Sequence, residues 1–409
     1  MPPDRAALVA ELHVRGFRTM RELRLDPGPI CALVGAARSG KSNLLAAVHA
    51  VLDPVAAGVG AGDVRHGEHD LEVRARLADG TWVAVAGRPP TLHRERPRAV
   101  PPVLFLAAAD RATTVVAPRA AEDGVPAGVR RFADHVREAL ERRERDGRPS
   151  SPALCAVEAL ERAVAERLSG VVLLVEEPEL YLRPQAQRWL SRLLRRLADL
   201  GNQVIYATQS PAFLNVARME ELVFVERRLE TGTAALRPPA PTPDEDFRVL
   251  SEFDAERAEL FLARAVLLVE GQTEKLALPF VFAALGRDAD REGISIVECG
   301  GKANVVLFAE VCRAAGVPFV VLYDRDAEPG RRAPAFMRQL NARLQELAGA
   351  HHAVELAPDF ERVSHLPRGS HKPERAWRSF AALPADRMPG ELVRAVRLTL
   401  ELARRGRAG

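Results

Sequence analysis

The chain has 409 residues, more than one ordinary domain holds, so two are expected. A net charge of +3 excludes a nucleic-acid surface built on overall charge and leaves only local patches. The four cysteines, Cys31, Cys155, Cys299 and Cys312, form no CxxC pair and no zinc spacing, which excludes a metal-stapled scaffold and fits reduced core thiols. The first residues carry charges where a signal peptide needs an apolar stretch, and no apolar run has transmembrane length. The expectation is a soluble cytoplasmic protein with no membrane partner.

ALVAELHVRGF alternates and predicts a first strand, and PICALVG predicts a buried one. KSNLLAAVHAVL has helical periodicity. Two alternating runs around Asp79-Gly80 predict a hairpin. Residues 87–102, rich in Pro and Arg, read as loop, VLFLAA as a buried strand, and residues 110–132 have little pattern. FADHVREALERRERDGR and CAVEALERAVAERL predict helices. VVLLVEE, QVIYATQS and ELVFVER predict strands, with the helix PQAQRWLSRLLRRLADL between the first two. Residues 228–247 read as a linker, which divides the chain into 1–245 and 246–409. After it a helix precedes AVLLVEG, and strands and helices then alternate through ISIVECGG, PFVVLYDRD and AVELAPDF to a helical tail, the pattern of a parallel α/β sheet.

Only Lys41, Lys275, Lys302 and Lys372 are lysine, so arginine carries nearly all the positive charge. A lysine is a compact point charge and an arginine a planar fork. The four positions therefore serve as pointers to sites. Lys41 closes Gly35-Ala36-Ala37-Arg38-Ser39-Gly40-Lys41-Ser42, which fits G-x-x-x-x-G-K-[ST] between a buried strand and a helix. Gly35, Ser39, Gly40 and Asn43 belong to the phosphate cradle, Lys41 should reach the β/γ-phosphates, and Ser42 should hold Mg²⁺. VVLLVEEPEL supplies the acids of the second half: Glu176 to hold the magnesium and Glu177 to orient water. Gln209, in YATQSP, falls where a switch strand senses the γ-phosphate.

HVRGF…LVGAARSGKSNLL, LLVEEPELYLRP and ATQSP resemble the ABC-type ATPases of the RecF and SMC class. The resemblance implies ATP binding with Mg²⁺ and a homodimer through the ATPase domains. It also marks departures. Glu176 stands where Asp is normal, Gln209 where His is common, and Ser150-Ser151 lack the glycines of the dimer's signature loop. ATP is therefore expected to bind, with hydrolysis slow or lacking.

In the second half, acids end three strands. Glu270 precedes Glu274 by one helical turn, Asp324 and Asp326 lie on one side if the chain stays extended, and Asp359 and Glu361 follow a third strand. Ligands of parallel sheets bind at the carboxyl ends of strands. Six carboxylates there call for hard divalent cations, and two Mg²⁺ or Mn²⁺ ions would clamp a phosphodiester.

VLLVEGQTEKLAL, IVECGGKANV and GVPFVVLYDRD resemble the Toprim domain of OLD-family nucleases, whose order of ABC-type ATPase followed by Toprim covers most of this chain. That resemblance implies a metal-dependent DNA endonuclease of phage defence or DNA repair, with Glu270, Glu274, Asp324, Asp326, Asp359 and Glu361 as ligands. Lys372 would stabilise the charged phosphate, and Lys302 would contact phosphate or hold its loop. DNA is the expected partner, beside a further protein that the sequence does not identify. The alternative reading is a RecF-like DNA clamp with a non-catalytic Toprim module. Topoisomerase chemistry is disfavoured, because Tyr181 and Tyr206 lie in the ATPase core and Tyr323 abuts Asp324. The arginine-rich stretches 88–98 and 130–148 are candidate DNA contacts.

Overall fold

The structure, a computed structural model, describes residues 8–88, 90–94, 100–107, 152–214, 216–228, 230–238, 257–327, 331–367 and 369–405, with isolated positions between 115 and 145. The chain divides into two compact units, Met1–Arg237 and Pro238–Gly409. Ser150, Ser151 and most of both arginine-rich stretches lie outside the described residues, as does most of the helix expected at 132–148.

The first unit begins with strands β1 (Val9–Phe17), β2 (Met20–Leu25) and β3 (Ile30–Val34), then helix α1 (Lys41–Leu52). Strands β4 (Leu71–Leu77), β5 (Trp82–Gly87), β6 (Pro90–Arg94), β7 (Val103–Leu106) and β8 (Val115–Val116) follow. Helix α2 (Pro152–Ala165), β9 (Val172–Glu176), α3 (Pro184–Asp199), β10 (Gln203–Thr208), β11 (Leu222–Arg228) and β12 (Gly232–Leu236) complete it. Among the described residues these strands form one sheet in the order β6-β5-β4-β1-β2-β12-β11-β3-β10-β9-β7-β8.

Strand β3 lies between β10 and β11, parallel to both, and all five of its residues are buried. A continuous apolar run suits a strand covered on both faces. β1 and β4 instead alternate, and they pair antiparallel. In α3 the buried positions Leu190, Leu193, Leu194, Leu197 and Ala198 recur at helical spacing, so one stripe meets the core and the arginines face out. Two expectations are corrected here. Residues 87–102 contain β6, which pairs with β5, and residues 228–247 contain β12, which pairs with β11. Both strands carry little apolar pattern, and partners in the sheet define them.

The second unit opens with a short 3₁₀ turn (Arg257–Phe261) and then alternates. Its elements are β13 (Ala265–Val269), α4 (Gln272–Ala284), α5 (Ala289–Glu292), β14 (Ile294–Glu298), α6 (Lys302–Ala314), β15 (Phe319–Asp324), α7 (Ala335–Ala348), β16 (Ala353–Leu356), α8 (Phe360–Val363), α9 (Lys372–Ala382) and α10 (Gly390–Arg405). The strands form a parallel sheet in the order β14-β13-β15-β16. Ala265, Leu267 and Val269 point to one face, where α4, α9 and α10 supply Leu278, Phe282, Phe380, Leu392 and Val396. Helices α6 and α7 pack against each other and against β15. All carboxyl ends therefore share one edge: Val269 pairs with Leu322 and Asp324 with Leu356, so β13, β15 and β16 leave the sheet at similar levels. Among the described residues no helix is long and apolar enough to cross a membrane.

Candidate functional site

Two sites take shape, one in each unit. In the first, the loop between β3 and α1 runs close beneath β11 and β12. A Cβ on Gly35 would lie 2.1 Å from Val225 O, and one on Gly40 (φ 113°) would lie 2.2 Å from Thr233 Oγ1. Only glycine fits at either place. Lys41 is buried and its Nζ donates to Gly35 O (2.7 Å) and Ala36 O (2.8 Å), closing the loop on itself. The N-terminus of α1 has no side-chain cap, so its first N–H groups are free of side-chain partners. Ser39 Oγ is buried without a hydrogen-bond partner. An uncapped helix start, an orphaned hydroxyl and a lysine held at the loop's centre fit a nucleotide's phosphates and Mg²⁺. Asn43 instead donates to Thr19 Oγ1 at 2.7 Å, and Thr19 pairs with Thr233, so Asn43 braces the loop from behind.

The acids of β9 face this lysine. Burial pushes the Lys41 ammonium below its ordinary pKa, and Glu177, Glu179 and Glu176 pull it back up. Glu176 is buried at the strand end. Glu177 takes a left-handed backbone (φ 47°), a sparsely populated conformation for a side-chain-bearing residue, which turns it out of the strand. Gln209 Nε2 donates to Glu177 Oε1 at 3.0 Å. Glu179 was not among the expected site residues, and it ties the two strand ends together. Thr208 Oγ1 donates to its Oε2 (2.8 Å) and the Gln209 backbone N–H to its Oε1 (2.7 Å). Burial raises the pKa of Glu179, and these two bonds oppose the rise. A third glutamate in EEPEL was the available signal.

In the second unit the carboxyl edge gathers most of the expected residues. Glu270 leaves β13 and accepts from the Asp324 backbone N–H at 2.8 Å. Asp324 ends β15, and its Oδ1 accepts from Phe360 N at 2.8 Å, which ties β15 to the start of α8. Glu274 is buried in the first turn of α4. Glu361 is buried in α8, and its Oε1 lies 2.6 Å from Lys372 Nζ. That lysine is the first residue of α9. Lys302, the first residue of α6, is buried and donates to Asp324 O and to Asp326 Oδ2, with Glu270 Oε1 at 3.6 Å.

Two details differ from the expectation. Asp326 does not continue an extended strand. Its backbone is left-handed (φ 58°), and its N–H donates to Pro358 O, so a turn rather than strand alternation brings it beside Lys302. Asp359 Oδ1 accepts from Arg362 N at 2.9 Å, capping α8. Lys275 lies apart, lining an open cavity of about 370 Å³ beside β14 with Arg257 and Arg287.

Burial raises Asp324 to about 8, and Glu270, Glu274 and Asp326 add to the rise. Burial likewise raises Glu274 to about 7, reinforced by Glu270 and Glu361. Such repulsion is what a cation relieves. Among the described residues, however, no three acidic, histidine or cysteine side chains close on one point tightly enough to hold a metal ion. The donor set, carboxylate oxygens at strand ends and at the helix starts that follow them, fits a hard divalent cation, while the acids turn to backbone N–H groups and to lysines instead.

Comparisons with known proteins follow the same division. A family model described as "Overcoming lysogenization defect protein-like, TOPRIM domain" matches residues 261–326. An AAA domain model named for the AbiEii toxin of type IV toxin–antitoxin systems matches residues 161–215. The chain is 35% identical over 238 residues to an OLD nuclease of Thermus scotoductus, covering 52% of this chain and 44% of that one. It is 28% identical over 165 residues to the Old nuclease of Escherichia phage P2, covering 39% and 28%. The chain thus spans less than half the length of these curated relatives. Among solved structures, the C-terminal region of the Burkholderia pseudomallei OLD protein aligns at 19% identity over 34% of this chain and 98% of that one, with a TM-score of 0.29. The SMC head domain of Thermotoga maritima aligns at 17% over 57% and 99%, with a TM-score of 0.35. At those scores the fold assignment rests on the strand order and the family models. The chain resembles the OLD nucleases, an α/β ATPase unit followed by a Toprim unit with a parallel sheet.

Proposed function

We propose that the chain is a divalent-metal-dependent DNA endonuclease regulated by ATP, acting in phage defence or DNA repair. The observation that carries this reading is the meeting of Glu270, Asp324 and Asp326 with Lys302, and of Glu361 with Lys372, at one sheet edge, in the unit that the OLD-like Toprim model matches. Glu270, Glu274, Asp324, Asp326, Asp359 and Glu361 would hold Mg²⁺ or Mn²⁺, directly or through water, and two such ions would supply Lewis acidity at the attacked phosphodiester. Within that frame the chain's own groups have distinct work. Hydrogen bonds to Asp324 N–H and Phe360 N–H fix the directions of Glu270 and Asp324. Lys372, exposed beside Glu361, would neutralise charge that develops on the phosphate.

In the first unit ATP with Mg²⁺ would occupy the loop of Gly35, Ser39, Gly40, Lys41 and Ser42, with Glu176 on the metal. Glu177, held by Gln209, would orient water for slow hydrolysis. Pairing of ATPase units into a homodimer and a cytoplasmic setting accompany this reading.

The test is incubation of purified protein with supercoiled plasmid and Mg²⁺ or Mn²⁺, beside an Asp324→Ala variant. Wild type should nick or linearise the plasmid and the variant should not. Equal activity in both, or none with either metal, would contradict the proposal.

A further inference from the structure

Lys302 stands at an unusual place for a cation. It opens helix α6, where the helix dipole disfavours positive charge, so the local fold does not call for a lysine there. Gly300 (φ 76°) and Gly301 (φ 122°) turn the chain directly behind Glu270, and Gly301 N–H donates to Glu270 O at 2.8 Å. From this anchored backbone the buried ammonium reaches Asp324 O and Asp326 Oδ2, with Glu270 Oε1 at 3.6 Å. A strand-end carbonyl and two carboxylates are the oxygen donors a hard divalent cation also takes. In a chain that otherwise uses arginine, a lysine here supplies a compact charge of similar placement.

We propose that Lys302 is the resident cation of the carboxylate edge. It holds Glu270 and Asp326 together when no divalent ion is bound, and it competes with that ion for their oxygens. The inference rests on reading the edge as a metal site and assigns Lys302 a positioning role rather than a chemical one. A divalent ion that arrives must displace the ammonium or bind against its repulsion. Two unit charges about 4 Å apart at an effective dielectric near 20 alter binding by two to three powers of ten, and the surrounding acids reduce that figure.

The experiment is Mn²⁺ binding to the full chain, followed by electron paramagnetic resonance, in wild type and Lys302→Met. The variant should bind Mn²⁺ at least about tenfold more tightly. Its metal-free melting temperature should fall by a few degrees, because the acids lose their counter-charge. Equal or weaker Mn²⁺ affinity in the variant overturns the inference and leaves the metal site standing. Failure of both wild type and Lys302→Met to bind Mn²⁺ at millimolar concentration overturns both. Should Lys302→Met not fold, wild type labelled with ¹⁵N at the lysine ammonium groups gives the same answer, since the chain has four lysines. The Lys302 signal, identified by its loss in Lys302→Arg, should shift when Mg²⁺ saturates the protein, and an unchanged signal refutes the competition.

Discussion

At the end of β9, three glutamates face a lysine that is already bonded into its own loop. At the end of β15, buried acids crowd one another until Asp324 is raised to about 8, and the nearest ammonium is drawn in among them. The first site pairs its charges through a rigid backbone cradle of the kind that suits an anion. The second carries surplus negative charge of the kind that suits a cation. The difference follows from what each loop presents: N–H groups at an uncapped helix start in one unit, and carboxylates at three strand ends in the other.

If that contrast is right, each site fails by itself. Lys41→Ala should weaken ATP binding by at least about a hundredfold, read by a fluorescent nucleotide, and leave Mn²⁺ affinity in the second unit unchanged. A parallel loss of Mn²⁺ binding would join what the contrast separates.

The cradle should also be the stiffer of the two. Gly35→Ala puts a Cβ 2.1 Å from Val225 O, so the loop or β11 must shift, at a cost of about 2–3 kcal/mol in chemical denaturation. Behind the cradle, burial lowers the pKa of His49, on the buried face of α1, to about 4, and its Nε2 has no partner. A histidine depressed on folding contributes stability above its unfolded pKa near 6.5 that is lost as pH falls through about 4. His49→Leu should therefore flatten the acid limb of the stability profile by up to about 3 kcal/mol. An unchanged acid limb would mean that His49 accepts a proton in the folded state.

The smallest effect is expected at Lys372. Its pair with Glu361 is exposed on the lysine side, so Lys372→Ala should change stability by less than about 1 kcal/mol while slowing plasmid cleavage. A stability loss equal to that of Gly35→Ala would make the pair structural.

How much of this the sequence displayed varies with the physics behind each feature. β3 with the glycine-rich loop after it, and the strands β13 and β15, were legible because burial on both faces writes continuous apolar runs. β12 was not, since Gly232–Leu236 becomes a strand by folding back on β11 and meeting β2 from far along the chain. The six acids were legible as residues, but their geometry was not. Asp326 reaches the edge through a left-handed turn, and Asp359 serves first as a helix cap. Glu179 was not legible as a site residue because its partners, Thr208 and Gln209, lie at the exit of the next strand. Lys302 was visible as a lysine, yet its place among the acids depends on the turn at Gly300-Gly301.

The most direct measurement of the central claim is the rate of plasmid cleavage at fixed Mn²⁺ in two variants, one from each site. Lys41→Ala should retain metal-dependent cutting, and Asp324→Ala should lose it while still binding ATP. Cutting that survives in Asp324→Ala would contradict the account, because the strand-end acids of the second unit would then not be where DNA is cut.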